Sequence, residues 1–465
     1  MRRIQLSDHF TNQKLIRFTL PSILMMMFTS IYGMVDGFFV SNYVSKTAFA
    51  AVNLIMPAMQ ILGGLGAMLG VGGSALTAKT LGEGDRKRAG RYFTMMTMSQ
   101  IIIVKYRKRA GRYFTMMIWL MVITGVICMV LGIAFIRQIS YLFGADDTMI
   151  EDCVTYGSIC MAFNLALHAQ YTFQGYLVVA ERPKLGLLAT VAAGVTNMIL
   201  DWLFMGVFGF GVSGAALATG LSQCVGGGIP LVWFLSKRNT SNLHFVRTRF
   251  ERKPMLKACA NGASEMLSSV SASITGILYN RQLMFYAGSD GVAAYGVVMY
   301  AAFVFISIFV GYSSGTSPIV GYHFGAQNHK ELRNVLRRSL ILLGSVSLVL
   351  TAIAVGFART ISSIFVGYDA DLLKLTTRAF TICALPFLVM WLNIYASSFF
   401  TGLNDGGVSA AISFLRALVL PVACILTLPR IWQLDGVWFS LVASEVLGVL
   451  VSAGFLLGKR RKYHY

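Results

Sequence analysis

A chain of 465 residues that is 56% hydrophobic and only 12% charged, with a mean hydropathy of +0.67, carries too much apolar surface for one water-soluble globule. A formal net charge of +20 would indicate nucleic acid as a partner of a soluble protein, but here the basic residues collect in loops between apolar runs. We therefore expect a protein whose solvent is largely lipid and whose partners do not include nucleic acid.

Apolar runs near the roughly 20 residues that a bilayer crossing needs recur along the whole chain. Examples lie at residues 185–207, 340–357 and 406–428. The first run, near residues 15–40, is too long for a cleaved signal peptide and is expected to stay as a membrane helix. The ten-residue alternation of a membrane barrel is not seen, so the sequence predicts an all-α membrane protein with twelve transmembrane helices.

The distribution of Lys and Arg predicts the orientation of these helices. Basic residues cluster in segments that follow an even number of predicted crossings: residues 86–91, 247–257, 330–338 and 459–462. The loops after odd crossings are short or acidic, as at residues 146–152. Because cytoplasmic loops carry the excess of basic residues, we expect both termini to be cytoplasmic in a protein of the cell membrane.

Taken in chain order, four predicted membrane helices carry an acid. These acids are Asp36 in helix 1, Asp201 in helix 5, Glu265 in helix 7 and Glu445 in helix 12. A charge at the centre of a membrane helix costs about 2.5–3.5 kcal/mol on insertion scales and usually marks function. Asn197 lies four residues before Asp201 and thus on the same helical face, where the two side chains can hold a proton or a cation. A helix-packing hydrogen bond is the alternative interpretation.

Other residues in the predicted helices have weaker signals. His168 in helix 4 is interpreted either as part of a proton relay or as a neutral packing residue. Arg281 and Arg416 are expected to reach towards the membrane interface. The seven cysteines are scattered without metal-ligand spacing, and motifs for nucleotide binding, hydrolysis or metal catalysis are missing, so we expect neither a metal site nor an enzyme.

The two halves of the chain resemble each other weakly. The stretch "TAKTLGEGDRKR" corresponds to "VGYHFGAQNHKE", and "FGVSGAALATG" corresponds to "WQLDGVWFSLV". Each half then holds six crossings, so the halves share one orientation and are related by an axis along the membrane normal. We predict an N-lobe at residues 1–240, a cytoplasmic linker at 241–254 and a C-lobe at 255–465.

A second repeat, which we call the perfect repeat, is much shorter, and its two copies are identical. The stretch "RKRAGRYFTMM" occurs at residues 86–96 and again at 107–117, which is a spacing of 21 residues. Gly82 and its counterpart Gly325 are 243 residues apart, whereas Ser213 and Asp435 are 222 apart, and the difference is again 21. One copy, near residues 86–112, is therefore interpreted as surplus, with a second basic anchor for lipid headgroups as the alternative. The third membrane helix is predicted at residues 113–135, and the earlier copy as an interfacial or protruding cytoplasmic helix.

Four stretches together resemble the multidrug and toxic compound extrusion (MATE) transporters, in particular the bacterial branch with DinF-like and MepA-like members. They are "LPSILMMMFTSIYGMVDGFFVSNYV", "GVGGSALTAKTLGEGDRKRA", "VTNMILDWLFMGVFGFGVSGAALAT" and "LDGVWFSLVASEVLG". The resemblance implies a V-shaped exporter of two six-helix lobes that exchanges protons or sodium for amphipathic cations. We expect the protein to need no cofactor beyond that ion and to be a monomer. The loop "LGEGDRKRAGR" departs in spacing from the signature of the major facilitator transporters.

The resemblance also implies roles for individual residues. Asp36 matches the family's helix 1 acid, and Asn197 with Asp201 matches the Asn-x-x-x-Asp of helix 5, so these three residues form the implied coupling site. Glu265 looks like a C-lobe acid that contacts cations or substrates. Helix 10 offers Asn393 but no aspartate, which departs from the sodium-dependent branch. Glu445 is a further, weaker candidate.

A lipid flippase or cell-envelope oligosaccharide exporter of related architecture is the second hypothesis. A carrier of anionic headgroups needs Arg or Lys in its central cavity, whereas the candidates in this sequence are acids. The sequence therefore favours the export of cations.

Overall fold

A computed structural model describes residues 4–89, 96–367 and 369–465 of the chain. All regular secondary structure in this part of the chain is helical, with fifteen α-helices and two short π-helical segments. A helix closes its backbone hydrogen bonds within one segment, which is the requirement that hydrocarbon surroundings impose. The prediction of an all-α membrane protein is confirmed.

The first lobe contains seven α-helices and one π-helical segment. They are α1 (Asn12–Tyr43), α2 (Lys46–Ala89), α3 (Met96–Leu142), α4 (Ile150–Ala162), α5 (Asn164–Val179), α6 (Pro183–Asp201), the π-helical segment Trp202–Val207, and α7 (Gly211–Leu235). Within this lobe α6 packs between α1 and α7, while α2 packs against α3 and α5. The first lobe thus has its own layered helix packing.

The second lobe contains eight α-helices and one π-helical segment. They are α8 (Arg252–Gly325), α9 (His329–Gly356), α10 (Ala358–Val366), α11 (Ala370–Ala384), α12 (Phe387–Gly402), α13 (Gly406–Phe414), the π-helical segment Leu415–Val419, α14 (Leu420–Thr427) and α15 (Pro429–Tyr463). Here α12 lies at the centre and packs against α8, α9, α13 and α15.

The helix lengths are consistent with the twelve predicted crossings. Among the described residues nine helices are long and apolar enough to span a membrane, and the bent pair of α11 and α12, at 48°, makes a tenth. Helix α8 has 74 residues, about 110 Å at 1.5 Å per residue, against a hydrocarbon core of about 30 Å. It is broken at Gly288, whose φ of 60° suits glycine, and therefore supplies two crossings. Helices α4 and α5, which are interrupted at Phe163, occupy the place in the chain of the remaining predicted crossing.

The perfect repeat falls around the junction of α2 and α3. Its second copy, at residues 107–117, lies inside α3, with Phe114 and Met117 fully buried. The predicted membrane helix at 113–135 is contained in α3, but α3 already begins at Met96, because residues 96–112 carry no proline and the helix continues past the apolar run. Most of the first copy, residues 90–95, lies outside the described residues. The surplus segment is therefore described in two parts: residues 86–89 end α2, and residues 96–112 form a helical extension of α3.

The two chain ends lie at the same end of the helix bundle, which we call the terminal end. The ring of Phe10 meets the ring of His323 edge-on at 6.3 Å between centroids. The ring of Tyr463 meets that of Phe324 at 5.6 Å. Because His323 and Phe324 are neighbours in α8, the N-terminal and C-terminal segments are both placed beside the end of α8.

The lobes meet where α1 and α2 pack against α8, and we call this contact the lobe seam. Glycines allow the helix backbones to touch there. A Cβ atom on Gly72 would lie 2.1 Å from the carbonyl oxygen of Ala258, and one on Gly82 would lie 2.0 Å from that of Tyr322. Both contacts join α2 to backbone atoms of α8, so the lobes are closed against each other at the terminal end.

This packing predicts that Gly72→Leu is strongly destabilising. A side chain there meets a rigid backbone carbonyl rather than a movable side chain, and overpacking of a core costs about 1–3 kcal/mol. We expect a lower Tm for the purified protein in detergent. Gly454→Leu is the control, because a Cβ at Gly454 meets nothing within 4 Å. Equal Tm values for the two variants would contradict the seam as described.

Candidate functional site

Asp36 lies on the inner face of α1 and is only 4% exposed. Its Oδ1 atom is buried without a hydrogen-bond partner in the part of the chain that the structure describes. Tyr32 precedes it by four residues and therefore occupies the same face of α1, one turn away. A buried carboxyl oxygen without a partner is costly, so this position is one that a proton or a cation would satisfy.

Asn197 and Asp201 lie on one face of α6, as the four-residue spacing predicts. They are 1% and 0% exposed. Within the described residues neither carboxylate oxygen of Asp201 has a hydrogen-bond partner, and the Oδ1 of Asn197 has none either. Asp201 ends α6, and the chain continues as the π-helical segment Trp202–Val207. Interruptions of this kind are frequent at functional sites.

A glycine brings the two acidic faces together. A Cβ atom on Gly194 would lie 3.2 Å from Cδ1 of Tyr32, so the ring of Tyr32 sits directly on α6, one turn before Asn197. Asp36 and Asp201 are close enough to interact electrostatically. The structure therefore places the three residues predicted for the coupling site, Asp36, Asn197 and Asp201, at one buried contact between α1 and α6, which we call the acid chamber.

The chemistry of the acid chamber follows from its charges. Two carboxyl groups share a buried location, and no ion pair with Lys, Arg or His is found for either among the described residues. Two like charges in a low dielectric are strongly unfavourable, and a proton or a small cation relieves the repulsion. The arrangement can thus hold a proton or a small cation between the two carboxyl groups.

Three further side chains lie within electrostatic reach of Asp36 and were not predicted. Tyr156 and Cys160 come from α4, and Tyr300 comes from α8 in the other lobe. The hydroxyl of Tyr300 is 3.8 Å from the position of a Cβ atom on Gly37. The acid chamber therefore reaches the lobe seam. Tyr32 was not predicted either, although its spacing of four residues from Asp36 could have indicated it. Tyr156, Cys160 and Tyr300 come from distant segments of the chain.

His168 is buried outside these contacts. Its Nε2 atom lies 2.9 Å from the carbonyl oxygen of Leu62, and its Nδ1 atom has no partner among the described residues. That geometry favours the packing interpretation, because one ring nitrogen is held by the backbone of α2. A role in a proton relay stays a prediction.

The C-lobe candidates Asn393 and Glu445 form a polar cluster with Arg416. The guanidinium Nη2 of Arg416 lies 2.9 Å from Oε1 of Glu445, and the amide of Asn393 donates to Oε2 of Glu445 at 2.7 Å. Ser452 donates to the amide oxygen of Asn393 at 2.8 Å. In the structure the charge of Arg416 is paired with that of Glu445, so each charge has its partner within the lobe. That Arg416 reaches towards the membrane interface stays a prediction.

This pairing changes what Glu445 has available for chemistry. Both of its carboxylate oxygens accept hydrogen bonds from Arg416 Nε at 3.0 Å. A carboxylate that already faces a guanidinium attracts a mobile cation less than the unpaired acids of the N-lobe do. The cluster is best understood as internal packing of α12, α15 and the π-helical segment Leu415–Val419.

Glu265 lies on α8 and is only partly buried. Its neighbours Met266 and Ser269 face Gly64 of α2, where a Cβ atom would lie 2.6 Å from the Ser269 hydroxyl oxygen. Glu265 is therefore beside the lobe seam. The described contacts do not connect it with Asp36 or Asp201, and its contact with cations or substrates stays a prediction.

The model of the MatE family matches residues 21–104, 94–203 and 265–426, which is more than half of the chain. The chain belongs to the MatE family. The family resemblance inferred from the four sequence stretches is thereby confirmed, and so is the MATE-like fold of a multi-pass membrane protein. The first two matches overlap at residues 94–104, next to the perfect repeat, so the family pattern is interrupted there.

Relatives of this MATE protein cover nearly all of its length. Multidrug export protein MepA of Staphylococcus saprophyticus is 20% identical over 438 residues, covering 94% of this chain and 92% of that protein. MepA of Staphylococcus aureus strain MSSA476 is 20% identical over 439 residues, with the same coverage.

Solved structures have the same fold at low sequence identity. A multidrug resistance MATE family transporter in an outward-facing conformation is 22% identical, with 98% of this chain and 97% of that chain covered and a TM-score of 0.87. A Pyrococcus furiosus transporter of the MOP superfamily, whose binding pocket has reverse polarity, is 22% identical at the same coverage, with a TM-score of 0.86.

Proposed function

We propose that this MATE protein is a secondary exporter that exchanges protons for amphipathic, cationic drugs or toxic metabolites. The observation that carries the proposal is the acid chamber, in which Asp36 and Asp201 are buried near each other without a hydrogen-bond partner at the atoms named above. The relatives named multidrug export proteins support the substrate class.

The exchange follows from two charge states of the chamber. With the carboxyl groups ionised, the chamber attracts a lipophilic cation that enters from the cytoplasmic side. After the lobes open outwards, protons neutralise the acids and the attraction to the cation is lost. A ligand drives such a switch only through different affinities for the two states, and here the protonation state supplies the difference.

Each residue of the chamber has a proposed task. Asp36 takes up the proton. Asp201 is a second acid beside it, and the repulsion between two negative charges favours the uptake of a proton. The amide of Asn197, on the same face of α6, is placed to donate to a carboxylate. Tyr300 lies on α8 of the second lobe and interacts electrostatically with Asp36. A change in the charge of Asp36 therefore acts on the second lobe through Tyr300.

The polarity of the chamber favours this function over a lipid or oligosaccharide flippase. The Pyrococcus furiosus transporter has the same fold but a binding pocket of reverse polarity. The fold alone therefore does not distinguish the export of cations from the transport of lipids or oligosaccharides. A carrier of anionic headgroups needs cations in its cavity, whereas the chamber described here gathers two aspartates. Protons are proposed over sodium because helix α12 contributes Asn393, with its amide already bound to Glu445, and no aspartate.

The same proposal includes the orientation and assembly of the protein. The terminal end carries the chain ends and the basic segments 330–338 and 459–462, so we place it in the cytoplasm of a cell-membrane protein that acts as a monomer. The closed lobe seam at this end then corresponds to an outward-facing state, like that of the solved MATE transporter.

The test is ethidium accumulation in a bacterium that lacks its own pumps. Cells that express the protein should accumulate less ethidium than cells with empty vector, and a proton uncoupler should remove the difference. In proteoliposomes, an imposed pH gradient should drive ethidium movement, and a sodium gradient at equal pH should not. Efflux that persists with the uncoupler and follows sodium would contradict proton exchange.

A further inference from the structure

A second polar site lies at the terminal end of the bundle, away from the acid chamber. It is a pocket of about 210 Å³ between α2, α3 and the first turns of α8. Its polar walls include the side chains Lys79, Glu83, Arg109, Tyr113, Lys253 and Lys257. The proposed export mechanism uses none of them.

The charges in this pocket are unbalanced. Four cations line it against one carboxylate, that of Glu83. In the described part of the chain, none of the ion pairs within 4.0 Å involves Lys79, Arg109, Lys253 or Lys257. Surface cations are normally dispersed or paired, because like charges in one cleft repel each other. The pocket thus presents an excess of positive charge that an anion would relieve.

Two of the cations are held in place before any ligand arrives. Arg109 donates from Nε to the hydroxyl of Tyr113 at 2.8 Å, and Tyr113 itself is buried in the core. This contact fixes the guanidinium and leaves its remaining N–H groups available for a bidentate contact with an oxyanion. Lys79 lies over the ring of Phe324, with Nζ 5.0 Å from the ring centroid.

The beginning of α8 adds further donors. Lys253 and Lys257 are four residues apart, so both project from one face of the first turns of α8. Glu251 is the N-cap residue of α8. Its side chain does not accept a hydrogen bond from the first backbone N–H groups of the helix. Uncapped N–H groups and the helix dipole favour an anion at that end. Lys253 and Lys257 therefore add two positive charges to the same pocket, at the N-terminal end of α8.

The volume of the pocket limits the ligand. At about 210 Å³ it is several times larger than the roughly 30 Å³ that one water occupies in the liquid. It is smaller than the roughly 300–1,000 Å³ of pockets that enclose drug-sized ligands. One tetrahedral oxyanion with a few waters fits this range.

We propose that this pocket binds a phosphate group, either of an anionic lipid headgroup or of free phosphate, and that the bound group holds the lobes together at the terminal end. Lys79 and Arg109 belong to α2 and α3 of the first lobe, whereas Lys253 and Lys257 belong to α8 of the second. An anion between them replaces repulsion across the lobe seam by attraction. It therefore favours the arrangement in which the lobes are closed at this end.

The proposal also gives the perfect repeat a physical use. Arg109 and Tyr113, which form one wall of the pocket, both belong to the second copy of "RKRAGRYFTMM". This wall of the pocket is therefore built by the second copy, which packs into the core.

The experiment measures binding by thermal unfolding of the purified protein in detergent, at constant ionic strength. In one arm, inorganic phosphate is added in steps. The reference is a buffer without sulfate in which chloride replaces the phosphate. The other arm compares micelles doped with phosphatidylglycerol and with phosphatidylcholine. We expect a saturable rise of Tm in at least one arm for the unmodified protein, because a ligand that binds only the folded state stabilises it. A rise with phosphate identifies free phosphate, and a rise with phosphatidylglycerol alone identifies the headgroup.

The variant Lys253→Gln/Lys257→Gln should lose this rise. The matched control Lys330→Gln/Lys374→Gln removes the same charge from two exposed lysines outside the pocket and should keep it. Without ligand, the pocket variant should be at least as stable as the unmodified protein, because repulsion is removed. Should the double variant not fold, Lys257→Gln alone should weaken the response. No rise in either arm, or the same rise in pocket and control variants, overturns the proposal.

Discussion

Asp36→Asn is expected to reduce efflux to the level of cells without the transporter. The substitution keeps the shape of the side chain but removes the group that gains and loses a proton, so the chamber no longer has two charge states. Asp36 is 4% exposed, and its Oδ1 atom has no partner among the described residues, so no structural contact at that atom is lost with the charge. The measurement is ethidium efflux from energised cells, with expression checked by immunoblot.

The control for this prediction is Asp290→Asn, which removes one exposed acid near the break in α8 and should leave efflux unchanged. Asp201→Asn should resemble Asp36→Asn, and the double variant should be no worse than either single one. Residues that act as a unit are strongly non-additive in this way. Normal efflux by a well-expressed Asp36→Asn protein would remove the basis of the proposed exchange.

Helix periodicity predicts which residues share a face of one helix, and the structure agrees with it for α6. The four-residue spacing of Asn197 and Asp201 placed both on one face of α6, and the structure keeps them there. Their meeting with Asp36 was implied by the family resemblance and not by the spacing. It depends on Gly194, which lets Tyr32 of α1 pack directly on α6. Such a contact between helices is a property of tertiary packing, which a pattern along one helix does not contain.

The same limit explains the predictions that were wrong or incomplete. Arg416 and Glu445 are 29 residues apart on different helices, so nothing in either segment indicated that they would pair. Tyr156 and Tyr300 reach the chamber from α4 and α8 and had no signal near Asp36. The start of α3 was placed too late because an apolar run marks where lipid begins, whereas a helix ends only where backbone hydrogen bonding ends.

The largest expected effect on stability belongs to Arg416→Met. Arg416 and Glu445 are only 22% and 13% exposed, and removal of one partner leaves a charge inside the lobe without compensation. Loss of one partner of a fully buried pair costs about 3–5 kcal/mol. This pair is partly buried, so we expect a smaller cost, which still lowers the Tm in detergent and the yield. Arg137→Met is the control. It breaks a pair with Glu151 that is shorter, at 2.5 Å against 2.9 Å, but both side chains are more than half exposed, so little change is expected.

The double variant Arg416→Met/Glu445→Met completes this test, because an apolar pair of similar volume replaces a buried ion pair at little cost or with some gain. We expect its Tm to return close to that of the unmodified protein, and a double-mutant cycle then gives the interaction between the two side chains. The same protein also tests Glu445 as a coupling acid. If the cluster only packs α12 against α15, the restored variant exports ethidium normally, because Asp36 and Asp201 are intact. A stable but inactive double variant would instead place a second titrating acid in the C-lobe, and the account of one chamber in the N-lobe would have to be replaced by coupling in both lobes.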